Sequence, residues 1–126
     1  MSENNTDISS ETVKSALLSL VVESWRFTRV YLRLISKLDA GEQNRFVSQY
    51  RYFQKQMEDK LGDVGYQLVN IEGHPFDSGT AATAININDF LSEDSLIVDQ
   101  MIEPIIMSDT GSIAKMGTVL LRKVGE

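Results

Sequence analysis

Apolar residues in the first third of the chain recur at alternating steps of four and three: Val13, Leu17, Leu20, Ser24, Phe27, Tyr31, Leu34 and Leu38, with Ser24 the one polar member. Such a pattern keeps its members on one side of an α-helix, along a seam shared with neighbouring helices. It predicts a helix over residues 10–39. Ser9 or Ser10 is placed to cap it, and Glu11 puts a negative charge in the first turn, where the helix dipole favours one. Leu18, Val21, Val22, Trp25, Val30 and Ile35 widen the apolar surface beyond what one helix buries, so a bundle is implied. Asp39-Ala40-Gly41 reads as a stop. A second helix is expected over 42–63, with Phe46, Val47, Tyr50, Phe53, Met57, Leu61 and Val64 three or four apart. The two make an antiparallel hairpin, and pairing two copies completes a four-helix bundle. Leu17, Leu20, Phe27, Tyr31 and Leu34 are assigned to the dimer interface of that bundle, with Phe46, Tyr50 and Phe53 of the second helix. Residues 1–9 are polar and expected to fray.

After Gly65 the period changes. Tyr66 to Ile71 reads as a first strand, and Glu72 to Gly79 as turn material. Thr83 to Ile87 alternates apolar and polar residues, as a half-buried strand does. Leu96 to Met107 is β-like, with Pro104 forcing an edge, a bend or a bulge because it has no N–H to donate. Ser108 to Gly111 is a turn, and Gly117 to Val124 a closing strand. Two helices followed by several short strands predict an α+β fold, with a helical dimerisation region over 10–65 and a small all-β unit over 66–126.

The chain has 126 residues, a formal charge of -6 and no cysteine. An acidic balance argues against a nucleic-acid surface, and the missing thiols remove disulfides, thiolate catalysis and zinc-thiolate sites. No apolar run reaches the roughly 20 residues of a membrane span. The first residues lack the basic and apolar regions of a secretory signal, so the cytoplasm is the expected compartment. His74 has no second histidine or cysteine with which to build a metal site, and reads as a solvated loop residue. Asp77, Asp89, Glu93 and Asp94 match no calcium-loop spacing. There is no G-x-S-x-G elbow and no phosphate-cradling glycine loop. No enzymatic activity and no cofactor are expected. Arg26, Arg29, Arg33 and Lys37, at helical spacing, read as a solvated face or as a site for an acidic partner. Trp25 reads as packing on the second helix or as an exposed contact.

Several segments together resemble the GrpE nucleotide exchange factors. Met57-Glu58-Asp59-Lys60-Leu61-Gly62-Asp63-Val64-Gly65-Tyr66-Gln67-Leu68-Val69 resembles the end of that family's second bundle helix, where a glycine turns the chain into the first strand. Gly73-His74-Pro75-Phe76-Asp77 is similar to its G-x-P-F-D-P segment, and Ala84-Ile85 stands at the place of a downstream Ala-Ile/Val pair. Gly111-Ser112-Ile113-Ala114-Lys115-Met116-Gly117-Thr118-Val119 resembles its closing G-x-x-I/L-R-P-A-x-V strand, with Lys115 where arginine usually stands. Ser78 replaces the second proline, Met116-Gly117 replaces Pro-Ala, the histidine before Ala-Ile is missing, and a long helical stalk is not expected. The resemblance implies a homodimeric co-chaperone that binds the nucleotide-binding domain of a DnaK-type chaperone and speeds ADP release. It points to the β-unit and the junction before it for partner binding, at Gly65, Tyr66, Lys115 and Met116, and at Pro75, Phe76, Ile85 and Val119, which match family positions and read first as core. Pro104 and Met107 are added from the apolar run 101–107, which reads as strand core or as an exposed docking patch. The alternatives are a dimeric adaptor of the same fold without exchange activity, and a small enzyme with an acidic site around Asp77 and His74.

Overall fold

A capped helix opens the structure, a computed structural model that describes residues 8–125. The expected frayed stretch lies largely outside them. Helix α1 spans Ser10–Ile35, and the Ser9 side chain accepts the Thr12 N–H at 3.1 Å. Helix α2 spans Ala40–Asp63. Here the structure corrects the expected boundary: Asp39-Ala40-Gly41 starts α2 rather than ending α1. The Asp39 carboxylate accepts the Glu42 N–H at 3.0 Å and so caps the second helix. The turn before it is held by Gln43, whose side-chain amide donates to the carbonyls of Ser36 and Leu38. Ser36 is the C-cap of α1, and Leu38 lies in the turn after it.

Seven strands follow: β1 Tyr66–Val69, β2 Pro75–Phe76, β3 Ala82–Ala84, β4 Leu96–Glu103, β5 Ile105–Ser108, β6 Ile113–Lys115 and β7 Gly117–Lys123. A single 3₁₀ turn covers Ile87–Asp89 between β3 and β4. The fold is α+β, as the sequence predicts. The strands form two sheets, ordered β1-β5-β6 and β2-β4-β7-β3. All pairs are antiparallel except β3 with β7, which is parallel. The expected stretch 96–107 is two strands in different sheets, and Pro104 sits at the change. Pro75 stands on the edge strand β2, where a missing N–H costs least.

The core has two parts. One gathers Val98, Met101, Val119 and Leu121 of the four-stranded sheet with Ala82, Ala84, Ile105 and Trp25 of α1. The other joins Val21 and Val22 of α1 to Leu61 of α2 and Ile106 of β5. α1 therefore contributes to both, and the helical and β-rich regions share one interior. Gly117 is required where β7 crosses β4 and β5. A Cβ there would stand 2.9 Å from Ile105 Cγ1 and 3.0 Å from the Glu103 carbonyl. Among the described residues, no helix is long and apolar enough to cross a membrane.

Candidate functional site

Helix α1 has two faces, and each is built for a different neighbour. The inner face buries Val21, Val22, Trp25, Thr28 and Ile35. Trp25 packs neither on α2 nor in solvent, as the sequence suggested, but in the β core. Its indole N–H donates to the Met101 carbonyl at 3.1 Å. Strand β4 is irregular at this point, with register shifts between Val98 and Gln100 and between Met101 and Glu103. Bulges leave backbone groups outside the ladder, and buried backbone groups need partners. Side chains supply them. The Glu72 carboxylate accepts the Met101 N–H at 2.8 Å and pairs with Arg29. The Arg29 guanidinium lies 4.9 Å from the centre of the Trp25 ring, a cation–π arrangement.

Arg26 pairs with Glu103, whose carboxylate also accepts the Thr118 hydroxyl at 2.8 Å. These hydrogen bonds from Arg26 and Thr118, the arginine first, hold the Glu103 carboxyl below its ordinary value. Arg26 remains half exposed and Arg29 is partly buried, and the ion-pair partners of both lie within this chain. Sequence reasoning missed Glu72 and Glu103 as those partners.

The outer face is bare. Val13, Leu20, Phe27 and Leu34 are exposed at 57%, 67%, 69% and 60%. They stand seven residues apart, so they form a single stripe along the helix. Phe53 and Tyr52 of α2 are exposed as well. Phe27 and Tyr31 of α1 meet Tyr50 and Phe53 of α2 around a cleft of about 250 Å³. The Tyr31 hydroxyl donates to the Phe46 carbonyl at 3.3 Å, which ties the two helices. Of the residues assigned to the dimer interface, Leu20, Phe27, Leu34 and Phe53 are uncovered, while Tyr31, Phe46 and Tyr50 are half-buried. Leu17 leans inward instead, against the core cluster around Val21 and Leu61.

The residues assigned to partner binding separate into three groups. Pro104 and Val119 are fully buried. Neither can touch a partner, and this corrects their assignment: Val119 lies in the middle strand pair of the larger sheet and Pro104 at the crossover between sheets. Gly65, Tyr66, Met107, Lys115 and Met116 lie on or beside the smaller sheet, where Tyr66 opposes Ser108, Gln67 opposes Met107, and Ile106 opposes Lys115. Tyr66, Lys115 and Met116 line a groove of about 680 Å³ against the first turns of α1. Gly65 has φ +85° and would place a Cβ 3.0 Å from the Asp109 carboxylate. It therefore meets both demands, a left-handed backbone and a close approach. Pro75, Phe76 and Ile85 belong to the larger sheet and its flanking loop, with Pro75 and Ile85 exposed.

The polar residues weighed for catalysis have structural tasks. Asp77 accepts the Gly79 N–H at 2.8 Å, closing its own turn. Asp94 accepts the Leu91 N–H at 2.8 Å in the same way. His74 is exposed, and its backbone exchanges bonds with Ile71 and Val98. Among the described residues no three carboxylate or imidazole groups gather as a metal site would require. Comparison with known proteins found no match: no family model, no curated protein and no solved structure is similar to this chain at a level that supports an assignment.

Proposed function

We propose that this protein is a GrpE-like co-chaperone of the cytoplasm, a homodimer that binds the nucleotide-binding domain of a DnaK-type chaperone and promotes ADP release. The observation that carries the reading is the uncovered stripe Val13, Leu20, Phe27 and Leu34, on a helix whose other face is already committed to its own β-unit. A stripe of this regularity is too apolar to leave in water, and a second copy supplies the matching surface. The order helix, helix, β-unit and the three segments resembling the family support the same reading. So do Tyr66, Lys115 and Met116, which share one groove accessible to a partner.

Exchange by such a protein needs no acid or base. It needs tighter binding to the open, nucleotide-poor state of the chaperone than to the closed one. Each tenfold preference moves that equilibrium by about 1.4 kcal/mol. Stopped-flow release of labelled ADP from DnaK-type chaperones tests the reading. Faster release in the presence of the protein is expected, and Lys115→Glu should slow it again. Binding to the chaperone with an unchanged release rate would replace exchange with the adaptor role. No binding and no acceleration with any DnaK-type protein would remove both.

A further inference from the structure

The charge of this chain is unevenly distributed. Residues 61–114 contain nine carboxylates and no lysine or arginine. Three of the nine are in ion pairs within the fold: Glu72 and Glu103 hold α1, and Asp99 pairs with Arg122, while Asp77 and Asp94 accept one backbone N–H each in their own turns. None of the three in ion pairs belongs to the loop that runs from β3 to β4. That loop carries Asp89, Glu93 and Asp94, and Asp77 faces it from the end of β2.

Between them lies a groove of about 730 Å³. Phe76, Ile87, Phe90, Leu91 and Leu96 give it an apolar floor, and Asp77 and Asp94 stand at its edge. Leu91 is 64% exposed, and Ile85 and Ile87 beside it are also exposed. Lys123 stands opposite Leu96 on β7. Asp77 and Asp94 at the edge, with Asp89 and Glu93 on the same loop, outnumber this one ammonium and leave the surroundings of the groove negative. The groove sits at the Leu96 end of β4, whereas α1 is clamped at Met101 and Glu103. Five residue steps along the strand lead from Leu96 to Met101, roughly 16 Å at the usual rise. The groove is therefore a surface distinct from the α1 stripe and from the Lys115 groove.

We infer that this groove docks a segment of a partner protein in which lysine or arginine alternates with large apolar residues. Apolar side chains of that segment would cover Leu91, Ile87 and Phe76, and its cations would meet Asp77, Asp89, Glu93 and Asp94. Charge complementarity selects this occupant: an acidic or neutral apolar segment would leave the rim carboxylates facing apolar groups at a desolvation cost. The inference needs no chaperone; of its contact residues only Phe76 is also assigned to chaperone binding, and none lies in the Lys115 groove.

The test is an NMR titration of the full-length, isotope-labelled chain with a short synthetic peptide of alternating leucine and lysine. Amide shifts are expected at residues 76–78 and 85–94. Affinity should fall roughly tenfold when salt is raised from low to several hundred millimolar, because exposed charges are screened. Leu91→Ser should weaken binding, and so should Asp89→Asn with Glu93→Gln; these side chains are exposed, so the fold is kept. A leucine–glutamate peptide should not bind. The inference is overturned by no binding at millimolar peptide, by shifts confined to residues 13–34 of α1, or by equal binding of the two peptides. Self-association that Leu91→Ser abolishes, with no peptide binding, would also overturn it.

Discussion

The two faces of α1 carry similar amounts of apolar side chain and meet different fates. The inner face is anchored by specific polar contacts. Trp25, Arg26 and Arg29 reach β4, and Glu72 and Glu103 answer from the β-unit. The outer face makes no such contact with the β-unit; Tyr31 ties it to α2, and the stripe Val13, Leu20, Phe27 and Leu34 is left exposed. The difference shows that heptad spacing marks an apolar face without saying what covers it. Bulge-satisfying hydrogen bonds mark the surface that belongs to the chain's own fold.

The sharpest way to break this comparison is Trp25→Ala. It removes a large buried ring and leaves the Met101 carbonyl without its indole donor. A loss of about 3–5 kcal/mol is expected in urea unfolding. A loss below 1 kcal/mol would mean that the inner face is not the anchored one. Gly117→Ala comes next. Its new methyl meets Ile105 and the Glu103 carbonyl, so β7 must shift away from the strands that α1 grips. About 1–3 kcal/mol is expected. A neutral Gly117→Ala would show that this crossing has slack.

Glu103→Gln probes the polar clamp and has a pH signature. The Glu103 carboxyl is held below its ordinary value of 4.5 by Arg26 and Thr118. A depressed carboxylate adds stability that is fully present above about pH 4.5 and is lost as pH falls through the folded-state value. Wild type should therefore exceed Glu103→Gln by on the order of 1 kcal/mol at neutral pH, the Arg26 side of the pair being half exposed. The gap should close on acidification below about pH 4.5, as the folded-state carboxylate becomes protonated. A gap that stays constant would assign the effect to packing. The smallest effect is expected for Phe27→Ala. Measured at dilutions where the protein is monomeric, it should change stability by under about 0.5 kcal/mol, as exposed sites do. A Phe27 effect as large as that of Trp25 would erase the distinction between the faces.

Much of this was legible in the residues. The stripe from Val13 to Leu34 states its own period, and Ser9 announces the start of α1. The change at Gly65 and the break at Pro104 were visible because each residue has a backbone property that no other supplies there. The partners of α1 were hidden for a physical reason. Trp25 meets Met101 across 76 positions, and Arg29 meets Glu72 across 43. Local periodicity has no access to such pairs. Asp39 was misread because the same residue types that follow one helix also cap the next. Strands β2 and β6 span two and three residues, too short for an alternating pattern to declare itself. Of the partner-binding positions, Val119 was assigned by resemblance although it also read as core, and Pro104 by the apolar run around it. Their burial follows from strand order, which the sequence does not display.

Sedimentation equilibrium of the full chain tests the account's central claim most directly, because the claim is that the outer face of α1 is covered by a second copy. Wild type should sediment as a dimer at micromolar concentration. Leu20→Asp with Phe27→Asp should sediment as a folded monomer with unchanged circular dichroism. A monomeric wild type at that concentration, or a dimer untouched by the two aspartates, would contradict it.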